Sequence, residues 1–156
     1  MINSGELIAE HGIGKYIRDG GEGVMFRVGK TPYAVKIAHN DEELTRARFF
    51  HQFEMANTLY GCKISVPEPI GLTRIVNPEN KKIVPAFTME YVEGQDLFQI
   101  PMRELKERVM KLRDDEVSLA ERMGFVSGDA YYPGNVIWCP PKEKIYLVDF
   151  ALWKRR

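Results

Sequence analysis

Glycine-rich turns at residues 19–23 and 29–32 cut the stretch from Ile13 to Ala38 into three short apolar runs. Ile13 to Arg18, Val24 to Val28 and Tyr33 to Ala38 are too short for stable helices. The three runs are predicted as strands separated by these turns. A helix follows. Asn40 can cap it, Glu43 is a capping-box partner three residues on, and Asp41-Glu42-Glu43 suits the positive end of the helix dipole. Leu44, Ala47, Phe50, Glu54 and Thr58 are predicted to lie along one stripe of this helix, which stops at Gly61.

Val66-Pro67-Glu68-Pro69 is predicted to be extended, because a residue before proline avoids the α region. Ile70–Ile75 and Ile83–Glu90 read as two further strands around the turn Asn77-Pro78-Glu79-Asn80. Residues 102–123 are helical in pattern, with Leu105, Val109, Leu112, Val117, Leu119 and Met123 as candidate buried positions, in one helix or in two that break near Asp114-Asp115. Two short apolar runs, Val136-Ile137-Trp138 and Ile145-Tyr146-Leu147-Val148, close the chain as strands. This order predicts an α+β protein in two lobes, with Glu90–Gln95 as the natural linker.

The bulk numbers admit that architecture. A length of 156 residues with 44% hydrophobic and 28% charged residues suits one compact domain or two small lobes. Lys+Arg and Asp+Glu balance at 22 each, so no overall field recruits nucleic acid or a membrane surface. Cys62 and Cys139 form no metal-binding spacing and are expected to be reduced thiols. The N-terminus carries no basic-then-apolar leader and no run approaches a membrane span, so a cytoplasmic protein without membrane contact is expected. Lys154-Arg155-Arg156 is a basic tail that either solvates the surface or touches RNA.

Three polar residues near the C-terminus suggest chemistry: Asp129, Asn135 and Asp149, each beside one of the last two strands. Two aspartates and an amide on short strands are what a Mg-nucleotide site needs, because that chemistry is largely positioning and charge neutralisation. Upstream, Asp19-Gly20-Gly21-Glu22-Gly23 is a plain hairpin turn or a loop whose backbone amides approach phosphates without Cβ obstruction. It lacks the dinucleotide-binding fingerprint, since a strand follows instead of a helix. Lys36, inside the apolar run Ala34-Val35-Lys36-Ile37, either escapes to solvent or is held by a carboxylate of the following helix. Glu54 is the first candidate and Glu43 the second. Met89-Glu90-Tyr91-Val92-Glu93-Gly94 is an edge strand, or an extended backbone presenting carbonyls and amides to an adenine, with Asp96 in reach of a ribose hydroxyl.

Taken in order, the glycine loop, Ala-Val-Lys-Ile, the helical glutamate, Met-Glu-Tyr-Val-Glu-Gly, the Gly-Asp loop with Asn135, and Val-Asp-Phe-Ala resemble the signature set of the protein kinase-like superfamily. The resemblance implies a two-lobed kinase-like fold: an antiparallel N-lobe sheet with one helix (1–89), a hinge (90–95) and a truncated, mainly helical C-lobe (96–156). It further implies ATP and Mg²⁺ as cofactors. Gly20, Gly21 and Gly23 would cover the phosphates, and Lys36, braced by Glu54, would hold them. Met89 would be the gatekeeper, Glu90 and Val92 the adenine partners and Asp96 the ribose contact. Asp129 would be catalytic, with Asn135 and Asp149 on the metal.

Departures from the pattern are Ser127 in place of histidine, one extra residue between Asp129 and Asn135, Ala151 in place of glycine, and Phe26 in place of the third loop glycine. Little chain follows Trp153, so the likeness is to minimal and atypical kinases: RIO-like enzymes, the kinase of the tRNA threonylcarbamoyl-modification complex, and short effector or phage kinases. The expected activity is ATP-dependent phosphotransfer or ATP hydrolysis. The acceptor would be a protein docked by a partner chain, or the chain itself. The alternative is a nucleotide-binding pseudokinase serving as an interaction module.

Overall fold

The computed structural model describes residues 2–20 and 22–156 and is an α+β protein. Its chain divides into two compact units, Met1–Glu54 with Glu68–Tyr91, and Met55–Pro67 with Val92–Arg156.

The first unit is built on a five-stranded antiparallel sheet of β1 (Ile13–Asp19), β2 (Gly23–Val28), β3 (Tyr33–Ala38), β4 (Pro69–Val76) and β5 (Ile83–Glu90), in the order β1-β2-β3-β5-β4. The strand runs expected from sequence are present with nearly the same limits. β3 is the middle strand, and every residue from Ala34 to Ala38 is buried, Lys36 among them. The turn between β4 and β5 is pinned by the buried Asn77, whose Nδ2 donates to the Ala38 carbonyl at 2.9 Å while its Oδ1 accepts from the Glu79 N–H at 2.8 Å.

One helix of this unit has no counterpart in the sequence expectations: α1 (Ser4–His11), capped by Asn3 through the Glu6 N–H at 3.0 Å. The signal was available, since Asn3 with Glu6 three residues on is a capping-box spacing. Ile8 turns into the core, and Ser4 Oγ lies 2.5 Å from Thr88 Oγ1.

The helix α2 (Glu43–Gly61) forms as expected, but on a different face. Its buried positions are Phe49, Gln52, Met55, Ala56 and Leu59, spaced as one helical stripe. Leu44, Ala47, Phe50 and Glu54 are exposed and Thr58 is half-buried, so the predicted stripe is corrected by about a third of a turn. Apolar residues on both sides (Phe49 and Phe50 adjacent, Leu44 opposite) make the phase ambiguous until the sheet selects one. The start also differs: Asn40 lies before the helix and its Oδ1 accepts from the Glu42 N–H at 3.0 Å and Thr45 Oγ1 at 2.5 Å.

The second unit contains α3 (Arg103–Arg122), a single unbroken helix of 20 residues with no break at Asp114-Asp115. Of the expected buried positions, Val109 and Val117 are fully covered, Leu105, Leu112 and Leu119 are half-buried, and Met123 is exposed. Around it lie the short strands β6 (Gln95–Asp96), β7 (Phe125–Val126), β8 (Val136–Cys139), β9 (Lys144–Leu147) and β10 (Lys154–Arg155). β6, β8 and β9 form one sheet, and β7 pairs with β10. The basic tail is therefore part of a ladder, with Lys154 opposite Val126 and Arg155 opposite Phe125.

Residues 55–67 belong to this unit rather than to the 1–89 block of the sequence reading. Hydrogen bonds to distant segments hold them there: the Ser65 carbonyl accepts from the Leu147 N–H at 2.8 Å, Ser65 Oγ donates to the Ile145 carbonyl at 2.5 Å, and Glu116 Oε1 accepts from the Ser65 N–H at 2.7 Å. Ser65 thus borders β9 as an extra edge residue. Among the described residues no helix is long and apolar enough to cross a membrane.

Candidate functional site

In the first unit the interest centres on Lys36. Its neighbours across the sheet are Met25 on β2 and Phe87 on β5, and only 8% of the residue is exposed. A buried ammonium is costly without partners. Lys36 Nζ donates to Gln52 Oε1 at 2.9 Å and lies 5.7 Å from the centre of the Phe49 ring. Gln52 Nε2 in turn donates to Glu22 Oε2 at 2.7 Å, and the other Glu22 oxygen faces an Arg48 guanidinium nitrogen at 3.4 Å. From sequence Glu54 is the expected brace of Lys36; the contact observed is with Gln52. Glu54 is exposed on the other side of α2. Gln52 escaped notice because a glutamine carries no charge to suggest a partner for lysine. The signal available was its place on the Phe49-Gln52-Ala56-Leu59 stripe.

The glycine loop is drawn close to this lysine. The Gly20 N–H donates to the Gly23 carbonyl at 2.8 Å, and a Cβ on Gly20 would stand 3.9 Å from Lys36 Cε. At Gly23 a Cβ would come within 2.4 Å of the Ile37 carbonyl oxygen, so only glycine allows β2 and β3 to meet there. Gly21 lies outside the described residues. At the end of β5, Met89 faces Ala34 and Pro69, and the Glu90 N–H donates to the Glu68 carbonyl at 2.8 Å, so that donor is already committed.

In the second unit, Asp129, Asn135 and Asp149 are brought together by backbone bonding. Gly128 has φ +54°, and a Cβ there would sit 2.4 Å from the Leu152 carbonyl oxygen. Three successive turn bonds follow: Ala130 N–H to Ser127 O, Tyr132 N–H to Asp129 O and Asn135 N–H to Tyr132 O, at 3.0, 2.9 and 2.9 Å. The side chain then closes the circuit, since Asn135 Nδ2 donates to the Asp129 carbonyl at 3.1 Å. The Asn135 carbonyl accepts from the Val148 N–H at 3.0 Å, which sets Asp149 one residue beyond that bond.

Asp149 itself adopts φ +63°, a left-handed conformation that a non-glycine residue reaches at some cost, and its Oδ1 accepts from the Ala151 N–H at 3.3 Å. Such strain clusters at functional positions. Asp129 Oδ1 is buried and has no hydrogen-bond partner among the described residues. Asp41 Oδ1 is in the same state, and both oxygens keep lone pairs that can accept a donor or a cation.

Arg113 holds the loop from α3. It is 6% exposed, donates to the Tyr131 carbonyl at 3.2 Å and stacks 5.3 Å from the Tyr131 ring. Sequence reasoning passed over it as one charge among many on a helix. Val92 packs against Ile137, Cys139, Tyr146 and Val148. Asp96 is engaged locally: its N–H donates to Gln99 Oε1 at 3.0 Å and its Oδ1 accepts from the Gln99 N–H at 3.1 Å. A separate cleft of about 640 Å³ in this unit, walled by Tyr60, Lys63, Leu112, Glu116 and Lys144 among others, contains none of the predicted site residues.

Among the described residues no three or more His, Cys, Asp or Glu side chains converge as a metal cage. Asn135 and Asp149 carry hard oxygen donors, the atom type that a divalent cation such as Mg²⁺ accepts. No protein-family model matches the chain, and no curated protein matches it.

Proposed function

We propose that the chain is a minimal, kinase-like phosphotransferase or ATPase acting on Mg-ATP. The observation that carries this reading is the loop from Asp129 to Asn135: an unpaired buried carboxylate oxygen, an amide fixed by the carbonyl of that same aspartate, and the strained Asp149 one residue past the Asn135–Val148 bond. Mg-ATP, when bound, supplies the transferable phosphoryl group and the cation that neutralises its charge. Asn135 spends its amide nitrogen on Asp129, which leaves Oδ1 as its metal-side atom, and the Asp149 carboxylate is the second ligand. The Asp129 carboxylate is the base that orients an acceptor hydroxyl or water and takes its proton. Lys36 is the phosphate-binding cation, with Gly20, Gly21 and Gly23 as the loop and Glu90, Val92 and Asp96 on the nucleoside side. Acceptors are a protein or the chain itself.

A pseudokinase is the second reading. It is favoured by the neutral Gln52 amide on Lys36 and by the engagement of Asp96 with Gln99. Thermal denaturation with and without Mg-ATP tests binding. Release of γ-phosphate or self-labelling, with Asp129→Ala as control, tests turnover. Binding with turnover supports the enzyme, binding without turnover supports the pseudokinase, and no binding defeats both.

A further inference from the structure

We propose that Gln52 is the positioning residue of Lys36, and that it couples the lysine to the glycine loop through Glu22, so that loop and lysine move together when a nucleoside polyphosphate binds. The proposal rests on the reading of Lys36 as a phosphate ligand. It assigns to an uncharged helix residue, and to a loop glutamate, roles that the sequence pattern gives to neither.

The chemistry favours an amide. Gln52 accepts from the Lys36 ammonium at 2.9 Å and donates to the Glu22 carboxylate at 2.7 Å. A carboxylate at position 52 could accept from the lysine but has no hydrogen to give Glu22. Gln52 is 2% exposed, so its rotamer is fixed by packing, and both of its hydrogen bonds reach charged groups, the stronger kind. Glu22 lies between Gly20 and Gly23 and is also held by Arg48 at 3.4 Å, one turn of α2 before Gln52. The chain Arg48–Glu22–Gln52–Lys36 therefore fastens the loop to the helix and the helix to the lysine. Incoming phosphates would compete with Glu22 for Arg48 and with Gln52 for Lys36, and Gln52, bonded to both Glu22 and Lys36, would couple the two changes.

Two measurements on the full chain test this. The first is brief acylation with limiting acetic anhydride, read at Lys36 by peptide mass spectrometry without nucleotide. Gln52→Met is expected to raise Lys36 labelling about tenfold, the size of one lost charge-assisted hydrogen bond. Glu22→Ala, at a side chain only 21% exposed, should raise it in the same direction, while Glu54→Gln leaves it at the wild-type rate. If Gln52→Met does not fold, as judged by thermal denaturation, Glu22→Ala carries the test.

The second measurement is Mg-ATP affinity by calorimetry. Gln52→Glu should weaken binding about tenfold by setting two carboxylates against each other, and the exchange Glu22→Gln with Gln52→Glu should restore it, because the bridging bond is rebuilt in reverse. Unchanged Lys36 labelling in both Gln52→Met and Glu22→Ala would overturn the proposal. So would an effect of Glu54→Gln equal to that of Gln52→Met, or an exchange that recovers nothing. Wild-type protein that binds no Mg-ATP defeats the phosphotransferase reading instead, and acylation then decides on Gln52 alone.

Discussion

Asn135 donates its side-chain amide to the main-chain carbonyl of Asp129, 3.1 Å away and six residues earlier. This bond closes the loop from Asp129 to Asn135, and Asn135 is only 7% exposed. Asn135→Ala should therefore lower stability by about 0.5–1.5 kcal/mol, the net range for one hydrogen bond, because the Asp129 carbonyl keeps the Tyr132 N–H as a donor. Urea denaturation checks the value, and a wild-type midpoint would show that the turns alone hold the loop.

Gly94 and Gly128, in the second unit, are among the glycines required by close contact. A Cβ at Gly94 would stand 2.0 Å from the Trp138 carbonyl oxygen, and one at Gly128 would stand 2.4 Å from that of Leu152. Gly94→Ala and Gly128→Ala should each destabilise by about 2 kcal/mol or more through backbone displacement. Gly61→Ala meets nothing within 4 Å and should stay within about 0.5 kcal/mol of wild type. The three melting temperatures, measured side by side, give the order.

Asp149 is a candidate for opposite effects on stability and binding. At φ +63° a glycine is more comfortable than aspartate, so Asp149→Gly should leave stability unchanged or raise it by about 0.5–1 kcal/mol. The same change should abolish Mg-dependent stabilisation by ATP. Thermal shifts with ATP alone and with Mg-ATP separate the two effects, and a clear loss of stability in the apo protein would argue against strain at this position.

The phase of α2 can be checked by adjacent phenylalanines. Phe49 is 1% exposed and Phe50 is 58% exposed. Phe49→Ala should cost about 3–5 kcal/mol, as a large buried ring does. Phe50→Ser should stay within about 0.5 kcal/mol. Equal losses at the two sites would contradict the observed face.

Alkaline pH should loosen the Asp129 loop. Burial, and then the Glu121 and Asp114 carboxylates, raise the Tyr131 hydroxyl above its ordinary value, against an opposing pull from Arg113. The raised group favours the folded state fully below the ordinary tyrosine pKa of about 10. Its contribution disappears as pH climbs through the raised value, because the unfolded chain releases the proton first. Tyr131 is half-exposed, so the effect is small and screened. Stability against pH for wild type and Tyr131→Phe should diverge only on the alkaline side.

Strands were legible where turns enclosed them. Tyr33–Ala38 and Ile83–Glu90 have the expected limits because Gly29-Lys30-Thr31-Pro32 and Asn77-Pro78 leave the chain few alternatives. Helix faces were less legible. Phe49 and Phe50 are equal in hydrophobicity, and only the sheet decides which is buried. For the candidate site, charge was the guide: it led to Lys36, Asp129 and Asp149, but it also led to Glu54. Gln52 and Arg113 act through specific side-chain contacts, with Lys36 and Glu22 in one case and with the Tyr131 carbonyl and ring in the other, and such contacts leave no periodicity in the sequence. The path of Ser65 along β9 is a non-local pairing set by a bond across 82 positions of chain, from Ser65 to Leu147.

The chain has 2 tryptophans, and both lie in the second unit, Trp138 at 5% and Trp153 at 1% exposure. Indole emission is therefore an intrinsic optical label for that unit, while the five-stranded sheet is silent at those wavelengths. Following emission and far-ultraviolet dichroism through one titration would resolve whether the two halves melt in concert or in sequence, without any attached dye.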